Sequence, residues 1–396
     1  MEVKAPAGSM TDRASKSKWA ITVCLFLLIL VFAVSFTMIG PMMPILINKY
    51  AIKWSQGGLI STFQSIGGIL AFVFGGLLAD KMKKTKLIGI SFILYILSLL
   101  LISLAPVYLV LLCLFFILGL GTNLLDILAN AYISDLHPER RGVVLNLLHT
   151  FFGVGAFIGP LFSSLLIEQG VHWNVVFRIL GIVCGVLLVL FIIITYTMPV
   201  NTREGSQEDS KNVLKLFAIP KMWILGIIML LYTAHQGGIS TWLPTYMETS
   251  LKSTPLLSGM GLSVFWIGII LGRLACSKLT QRFSPKKLII WGGLAGGIVL
   301  TLGLLTNSPM VLIITAGLSG LLSGAFIPLL ITIGCGWYPQ NSGAVSSILF
   351  LKFSISRMLF PWLMGIIAEV SNFRLGMLIT SITLIISFFI ALAIPE

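Results

Sequence analysis

Six ionisable side chains lie inside long apolar runs of this sequence, where a charge is expensive to keep. They are Asp126, His149, His235, Arg273, Lys352 and Arg357. A charged group at the centre of a membrane helix costs roughly 3 kcal/mol or more, so each such group is a candidate for function. Carboxyl and imidazole groups exchange protons, while guanidinium and ammonium groups bind anions. Their positions predict a polar site at about the middle of a membrane.

The fourth apolar run holds the most informative pattern. Asn123, Asp126 and Asn130 follow the spacing i, i+3, i+7, which places two amides and one carboxyl on a single helix face. Burial disfavours the charged form of a carboxyl, so we expect Asp126 to bind a proton near neutral pH. This is the requirement for a proton-coupled carrier. Asn146 and His149 repeat the pattern in the fifth run.

The buried cations need counterions. Lys352 and Arg357 lie in the eleventh run and Arg273 lies in the eighth. Either one of them pairs with Asp126 across a cavity, or the cluster awaits an anionic ligand such as a carboxylate, a sulfonate or a phosphate. The first alternative, with Lys352 as the partner of Asp126, is the pairing that a structure should test first.

Polar residues also interrupt the seventh apolar run at its centre. His235, Gln236 and Trp242 lie in or directly after this polar stretch. A histidine and an amide can hydrogen-bond a polar solute, and an indole ring can stack on a sugar. We therefore expect these three side chains to contribute to a substrate site.

The elements that position these residues are membrane helices. Of the 396 residues, 57% are hydrophobic and only 10% are charged, a balance that a soluble domain cannot expose. The apolar runs are continuous and long enough to cross about 30 Å of hydrocarbon as helices, which predicts an all-α integral membrane protein with twelve transmembrane helices. The predicted spans are 19–47, 56–79, 87–105, 107–133, 142–167, 173–198, 222–246, 257–280, 288–306, 310–335, 344–368 and 375–394.

The basic residues report the orientation of the chain. There are 26 Lys and Arg against 13 Asp and Glu, and most of the cations lie in alternate loops. The positive-inside rule then predicts a multi-pass protein of the cell (plasma or inner) membrane with both termini in the cytoplasm. A positive charge sorted in this way indicates topology and contact with lipid, and we expect no nucleic-acid partner.

A polar stretch divides the chain into two equal parts. We expect a cytoplasmic tail at 1–18, a six-helix bundle at 19–199, a cytoplasmic linker at 200–221 and a second six-helix bundle at 222–396. This is the layout of transporters that are built from parallel repeats, in which one bundle rocks against the other around a central site. We expect a small-molecule substrate and a monomer.

The loops after the second and the eighth run carry a family signature. The first reads GLLADKMKKTK over residues 76–86, and the second reads SKLTQRFSPKK over residues 277–287. The first resembles the motif G-x-x-x-D-R/K-x-G-x-R/K-R/K of the major facilitator superfamily, with Lys83 where the glycine usually stands. The second has Gln281 in place of the acid. The resemblance implies two six-helix bundles that are related by a pseudo-two-fold axis.

The same resemblance implies a cytoplasmic gate. Asp80 would take part in it, with Arg140 or Arg141 as the partner across a short loop. Arg273 follows Gly272 in a pattern common to the superfamily, which implies a structural or gating role for that arginine. A cluster of charges that serves topology alone is the alternative for the loop.

The fourth and fifth runs narrow the resemblance. The strings GLGTNLLDILAN at 119–130, DLHPERRG at 135–142 and LNLLHTFFG at 145–153 are similar to the fucose/glucose/galactose:proton symporters. The resemblance implies that Asp126 is the coupling acid and that Asn130, Asn146 and His149 line the substrate. The first run lacks the second carboxylate of those carriers, and Gln236 stands where sugar-type relatives often have glutamate.

Three functions remain open at this point. The first is a proton-coupled symporter of a sugar or a sugar-like solute. The second is a carrier of an organic anion or an anionic sugar that uses Lys352, Arg357 and Arg273. The third is a proton-driven drug or metabolite exporter, because Gly155-x-x-x-Gly159-Pro160 is similar to an antiporter signature. An enzyme is not expected, since no nucleophile–base set, phosphate loop or metal spacing appears, and we expect no cofactor.

Overall fold

The helices of the chain follow the apolar runs and extend beyond most of them by a few residues. The computed structural model describes residues 7–79, 82–197, 216 and 219–395, the side chains of 7–16 and 73–79 excepted. The first half contains α1 (Ala7–Thr37), α2 (Ile39–Tyr50), α3 (Trp54–Ala79), α4 (Lys84–Ile102), α5 (Tyr108–Leu136), α6 (Arg141–Glu168) and α7 (Trp173–Thr197). The second half contains α8 (Pro220–Thr249), α9 (Pro255–Leu279), α10 (Pro285–Leu305), α11 (Pro309–Ser323), α12 (Phe326–Trp337), α13 (Ser342–Val370) and α14 (Phe373–Leu392).

Twelve spans are present, as the sequence predicts. Within the described residues, eleven helical segments are long and apolar enough to cross a membrane. Helix α3, 26 residues long and without a charged residue, supplies the twelfth. The described part of the chain contains no strand. Since lipid offers the backbone no hydrogen-bond partner, helices that satisfy their own backbone are the expected solution.

Prolines interrupt two spans that the sequence presents as continuous. The first span consists of α1 and α2, which are separated at Met38, and the tenth consists of α11 and α12, which are separated at Gly324 and Ala325. A proline has no N–H for the carbonyl four residues earlier. Pro41 therefore leaves the carbonyl of Thr37 without its helical partner.

The two halves repeat the same glycine contacts. In the first half, Gly119 of α5 lies so close to α3 that a Cβ there would be 1.9 Å from the carbonyl oxygen of Gln64. In the second half, Gly320 of α11 stands in the same relation to α9, with 2.4 Å to the carbonyl oxygen of Phe265. Small residues let membrane helices approach to backbone contact. Each half therefore forms its own closely packed bundle.

The turns repeat as well. Two non-glycine residues in the described chain have positive φ, Ala51 at 48° and Lys252 at 56°, and they follow the first and the seventh span respectively. A short 3₁₀ turn joins spans four and five at Pro138–Arg140, and another joins spans ten and eleven at Pro339–Asn341. Equivalent turns at equivalent positions support a parallel repeat of six spans.

The bundles meet at one end of the molecule. We call the end that holds the segment between α7 and α8 the linker end, and the opposite one the far end. At the far end, a Cβ on Gly58 of α3 would lie 2.6 Å from the carbonyl oxygen of Pro361 in α13. A Cβ on Gly259 of α9 would lie 2.8 Å from that of Pro160 in α6. The far end is thus closed by backbone-to-backbone contact on both sides of the interface.

The interface widens toward the linker end. Helices α6 and α9 still touch at Gly153, where a Cβ would lie 3.0 Å from Ile270 Cγ1. One and two turns closer to the linker, on the same face of α6, His149 and Asn146 are exposed. The structure is therefore closed at the far end and open at the linker end.

Replacing Gly58 by alanine is expected to destabilise this closed far end. A methyl group at that position overlaps the backbone of α13, and overpacking of this kind costs about 1–3 kcal/mol. Gly89 of α4, where a Cβ would meet nothing within 4 Å, is the matched control. Thermal unfolding in detergent should show a lower Tm for Gly58→Ala and an equal or higher Tm for Gly89→Ala, because alanine is the better helix former. Equal behaviour of the two variants would contradict the backbone contact.

Candidate functional site

Asp126 lies half-buried on α5 and is held by an amide. Asn130 Nδ2 donates to Asp126 Oδ1 at 2.9 Å and to the backbone carbonyl of Asp126 at 2.8 Å. Asn123, on the same face, donates to the carbonyl of Gly119 at 2.9 Å and packs against Gly68 of α3. Among the described residues Asp126 has no ion-pair partner. The carboxyl therefore sits in the first bundle with one hydrogen-bond donor and no cation.

Asn146 and His149 lie on the wall of the opening between α6 and α9. Both are exposed, and the backbone carbonyl of Asn146 accepts a hydrogen bond from Thr150 Oγ1 at 2.8 Å. The two side chains are thus accessible from the linker end, where a solute would enter or leave.

Arg273 braces the break in the tenth span. Its Nε donates to the carbonyl oxygen of Gly324 at 3.1 Å. Pro328, four residues later, cannot donate a hydrogen bond to that carbonyl, because proline has no N–H. The arginine therefore replaces a missing backbone donor inside the membrane. This is a structural contact within the second bundle, where the sequence had left a structural and a gating role open.

Lys352 lies within its own bundle and forms no ion pair with Asp126 in the described structure, which was one of the two arrangements that the sequence left open. Its Nζ lies 3.6 Å from the centroid of the Trp223 ring, and its stem packs on Gly226, both in α8. Only 8% of the residue is exposed. The reason is direction: the lysine extends toward the neighbouring helix of its own bundle, where an aromatic face attracts the ammonium group.

Arg357 lies between the bundles. Its Cζ is 3.9 Å from the centroid of Phe36 in α1 and 5.9 Å from that of Phe353, one turn earlier on α13. Its stem faces Gly237 of α8. In the described part of the chain, the guanidinium has no hydrogen-bond or ion-pair partner. The three cations therefore occupy three separate environments and do not form one cradle.

The seventh span contributes packing where the sequence predicted substrate contacts. His235 is fully buried, and its Nδ1 lies 3.0 Å from the carbonyl oxygen of Thr380. Gln236 is buried, with its Nε2 3.5 Å from Tyr232 Oη. Trp242 Nε1 donates to the carbonyl of Pro361 at 2.8 Å, and its ring lies within the closed far end. These polar atoms are turned into the second bundle, because burial requires each of them to find a partner there.

The predicted gate at the linker end falls only partly within the described residues. Asp80 lies outside them. Arg140 and Arg141 are exposed and form no ion pair in the described part of the chain. The ion pair that is present at this end joins Lys84 to Asp135, between the start of α4 and the end of α5.

Polar contacts that no sequence pattern predicts also join the bundles at the far end. Glu369 Oε2 accepts a hydrogen bond from Ser55 Oγ at 2.7 Å, and Glu369 Oε1 lies 3.2 Å from Lys53 Nζ. Thr62 Oγ1 donates to the carbonyl of Met358 at 2.6 Å. The sequence around a serine or a threonine does not predict a hydrogen-bond partner that is 314 or 296 residues away along the chain. Only Glu369, an acid at the end of a span, gave a usable signal.

Glycines 155 and 159 pack the first bundle together. A Cβ on Gly155 would lie 2.2 Å from the carbonyl oxygen of Leu30 in α1, and one on Gly159 would lie 2.6 Å from that of Val34. The motif that resembles an antiporter signature thus forms the contact between α1 and α6.

The described residues contain no group of three or more His, Cys, Asp or Glu side chains that could hold a metal ion.

Two six-helix bundles, closed at one end around a set of membrane-embedded ionisable groups, define a class of membrane transporters. The family model of the Major Facilitator Superfamily matches residues 25–262 and 246–396. The chain belongs to this superfamily.

Relatives and solved structures agree with this assignment. The chain is 23% identical over 337 residues to an uncharacterised MFS-type transporter of Yersinia pestis, covering 84% of this chain and 85% of the relative. It is 23% identical over 295 residues to a TsgA homologue of Buchnera aphidicola, with 74% and 75% covered.

The fold is shared with transporters of different solutes. A bacterial homologue of the human lysosomal transporter Spinster, in an inward-facing and unoccupied conformation, superposes with a TM-score of 0.79 at 17% identity, covering 95% and 96% of the two chains. The nucleoside transporter NupG gives 0.77 at 14% identity, with 96% and 98% covered. A D-xylose-proton symporter gives 0.74 at 15% identity, also with 96% and 98% covered.

The brace between Arg273 and Gly324 can be tested with a double-mutant cycle. Arg273→Ala is expected to lower the free energy of unfolding by about 1–3 kcal/mol, because a buried carbonyl loses its donor. In a Pro328→Ala background the backbone N–H of residue 328 is restored, so the same substitution should cost less. Thermal unfolding of the four proteins in one detergent measures the coupling. Strictly additive costs would show that the arginine does not replace the missing N–H.

Proposed function

We propose that the chain is a secondary active transporter that moves a small polar solute by alternating access and couples it to protons through Asp126. One observation carries the proposal. Among the described residues Asp126 is the acid that lies farthest from a helix end, it is half-buried, and its described side-chain partner is the neutral amide of Asn130. With no cation to hold it in the charged form, the carboxyl is suited to bind and release a proton.

The mechanism follows from the asymmetry of the two ends. In the present state the bundles touch at Gly58 and Gly259, while the opening between α6 and α9 faces the linker end. Rocking one bundle against the other would close the linker end and open the far end. Asp126 would take up a proton on one side and lose it on the other, because its access to water changes with the rocking motion.

The solute that we propose is a sugar or a sugar-like compound. Asn123, Asn130, Asn146 and His149 supply amide and imidazole groups that can hydrogen-bond hydroxyls. The similarity in fold to a D-xylose-proton symporter and to a nucleoside transporter supports a solute of this kind. We further propose a monomer in the cell membrane with both termini in the cytoplasm, so that the linker end is the cytoplasmic one.

Replacing Asp126 by asparagine tests the coupling. A panel of monosaccharides and nucleosides is first ranked by the Tm increase that each gives the wild-type protein at two pH values, since a ligand of the native state raises its stability. The best one is then used in proteoliposomes. Asp126→Asn should lose accumulation driven by a pH gradient and retain exchange of labelled for unlabelled solute, because the asparagine cannot carry a proton.

Glu139→Gln is the matched control for this experiment. Glu139 is an exposed acid in the turn between α5 and α6, so its neutralisation should leave accumulation unchanged. Accumulation by Asp126→Asn at the level of the wild type would sink the proposal. Loss of exchange as well as accumulation would show that Asp126 binds the solute and does not serve coupling alone.

A further inference from the structure

The guanidinium of Arg357 lies in an unusual place for a cation. It sits about halfway along α13, roughly 22 Å from the helix start at a rise of 1.5 Å per residue. It rests on the ring of Phe36, which belongs to the other bundle, at 3.9 Å. The residue remains partly exposed, and no acid pairs with it among the described residues. In the described part of the chain, none of its five N–H donors has an acceptor.

Two more polar groups near this interface lack a partner. Trp266 of α9 is 3% exposed, and its indole Nε1 has no hydrogen-bond partner in the described structure. The hydroxyl of Ser240 is also buried without a partner. Ser240 follows Gly237 by three residues on α8, and Gly237 is the residue that faces the stem of Arg357. An indole N–H can only donate, so an acceptor is what this region lacks.

A chain of aromatic rings connects Arg357 to Trp266 across the interface. Phe36 of α1 lies 6.2 Å from Phe152 of α6, and Phe152 lies 6.2 Å from Trp266, measured between ring centroids. The cation and the indole thus stand at the two ends of one aromatic wall. Such a wall suits the apolar or planar body of a solute. The guanidinium at one end suits an oxyanion attached to that body, and the indole N–H at the other end suits a second acceptor.

The other buried cations are already engaged. Arg273 donates to the carbonyl of Gly324, and Lys352 lies on the ring of Trp223 within its own bundle. Asp126 accepts a hydrogen bond from Asn130 and forms no ion pair with Arg357 in the described structure. Arg357 is consequently the cation that the fold leaves for a ligand.

We propose that Arg357 binds the oxyanion of the transported solute, with the ring of Phe36 holding the guanidinium in place until the solute arrives. The indole N–H of Trp266, at the other end of the aromatic wall, then donates to a second acceptor on the body of the solute. This inference rests on the proposed transport function and changes the proposed solute in one respect, its charge. The solute becomes a small sugar-like or other organic anion with a carboxylate or a phosphate group. A bidentate, charge-assisted contact with an oxyanion is stronger than contact with an aromatic ring, so the ligand displaces the guanidinium from Phe36.

The experiment compares pairs of probes in which one member carries an anionic group and the other is neutral. The pairs are D-glucuronate and D-glucose, benzoate and benzamide, and uridine 5′-monophosphate and uridine. In purified protein the anionic member of at least one pair should raise the Tm more than its neutral partner. The first two pairs report a carboxylate and the third reports a phosphate, which separates the two sources of the oxyanion.

Variants then locate the subsite. Arg357→Met keeps the apolar stem and should weaken binding of the anion on the order of 100-fold, while Arg357→Lys should restore part of it. Trp266→Phe keeps an aromatic ring but lacks the N–H, and it should weaken binding of the anion by about tenfold. Arg178→Met is the control, because Arg178 on α7 donates to Ser103 within the first bundle. If Arg357→Met does not fold, Arg357→Lys and Trp266→Phe decide the matter.

Three results would overturn the inference. The first is an equal Tm increase with both members of every pair, and the second is full binding of the anion by Arg357→Met. The third is a loss of the preference for anions in Lys352→Met while Arg357→Met keeps that preference. Binding is measured at equilibrium without a proton gradient, so a failure of coupling at Asp126 leaves this test unaffected. Conversely, concentrative uptake of a neutral solute through Asp126 with no anion preference would refute the subsite alone.

Discussion

Backbone contact between the two bundles at the far end is the constraint on which the rest of the structure depends. Gly58 against Pro361 and Gly259 against Pro160 bring helices of different bundles closer than any side chain would allow. Because these contacts lie at one end, the same helices diverge toward the other end and create the opening that Asn146 and His149 line. Packing of small residues is a principal source of helix association in lipid, where burial of apolar side chains gives little.

The three cations within the membrane helices make different contacts, which their residue types alone do not predict. Arg273 completes a helix that Pro328 interrupts, and Lys352 packs on Trp223. Arg357 bridges to Phe36 of the other bundle. The differences come from geometry, because each side chain satisfies whichever unpaired group its helix face presents. A common depth in the membrane is therefore insufficient evidence for a common site.

The fold was predictable from the sequence, whereas the partners of the site residues were not. Lipid forces the backbone into helices, so twelve apolar runs and a polar linker lead directly to two bundles. The breaks at Met38 and Gly324 escaped notice because hydropathy does not respond to proline, although Pro41 and Pro328 were visible.

The direction of a side chain toward a neighbouring helix does not follow from the sequence. Span membership placed Asp126 and Lys352 at similar depths, yet the lysine turns to Trp223 and leaves the acid to Asn130. His235 and Trp242 looked available as polar groups in an apolar run but are buried against Thr380 and Pro361. The polar face of Asn123, Asp126 and Asn130 followed from helical spacing alone, since all three lie on one helix. Contacts between helices need the packing as well.

The unbalanced charge of the spans has an electrical consequence. Arg273, Lys352 and Arg357 outnumber Asp126, so the protein itself carries net positive charge inside the membrane field. Moving one elementary charge through the full field is worth about 2.3 kcal/mol per 100 mV. A rocking motion that carries Arg357 through part of that field is consequently favoured in one direction by the membrane voltage and opposed in the other. A voltage across the membrane would thereby bias which end of the empty carrier stands open.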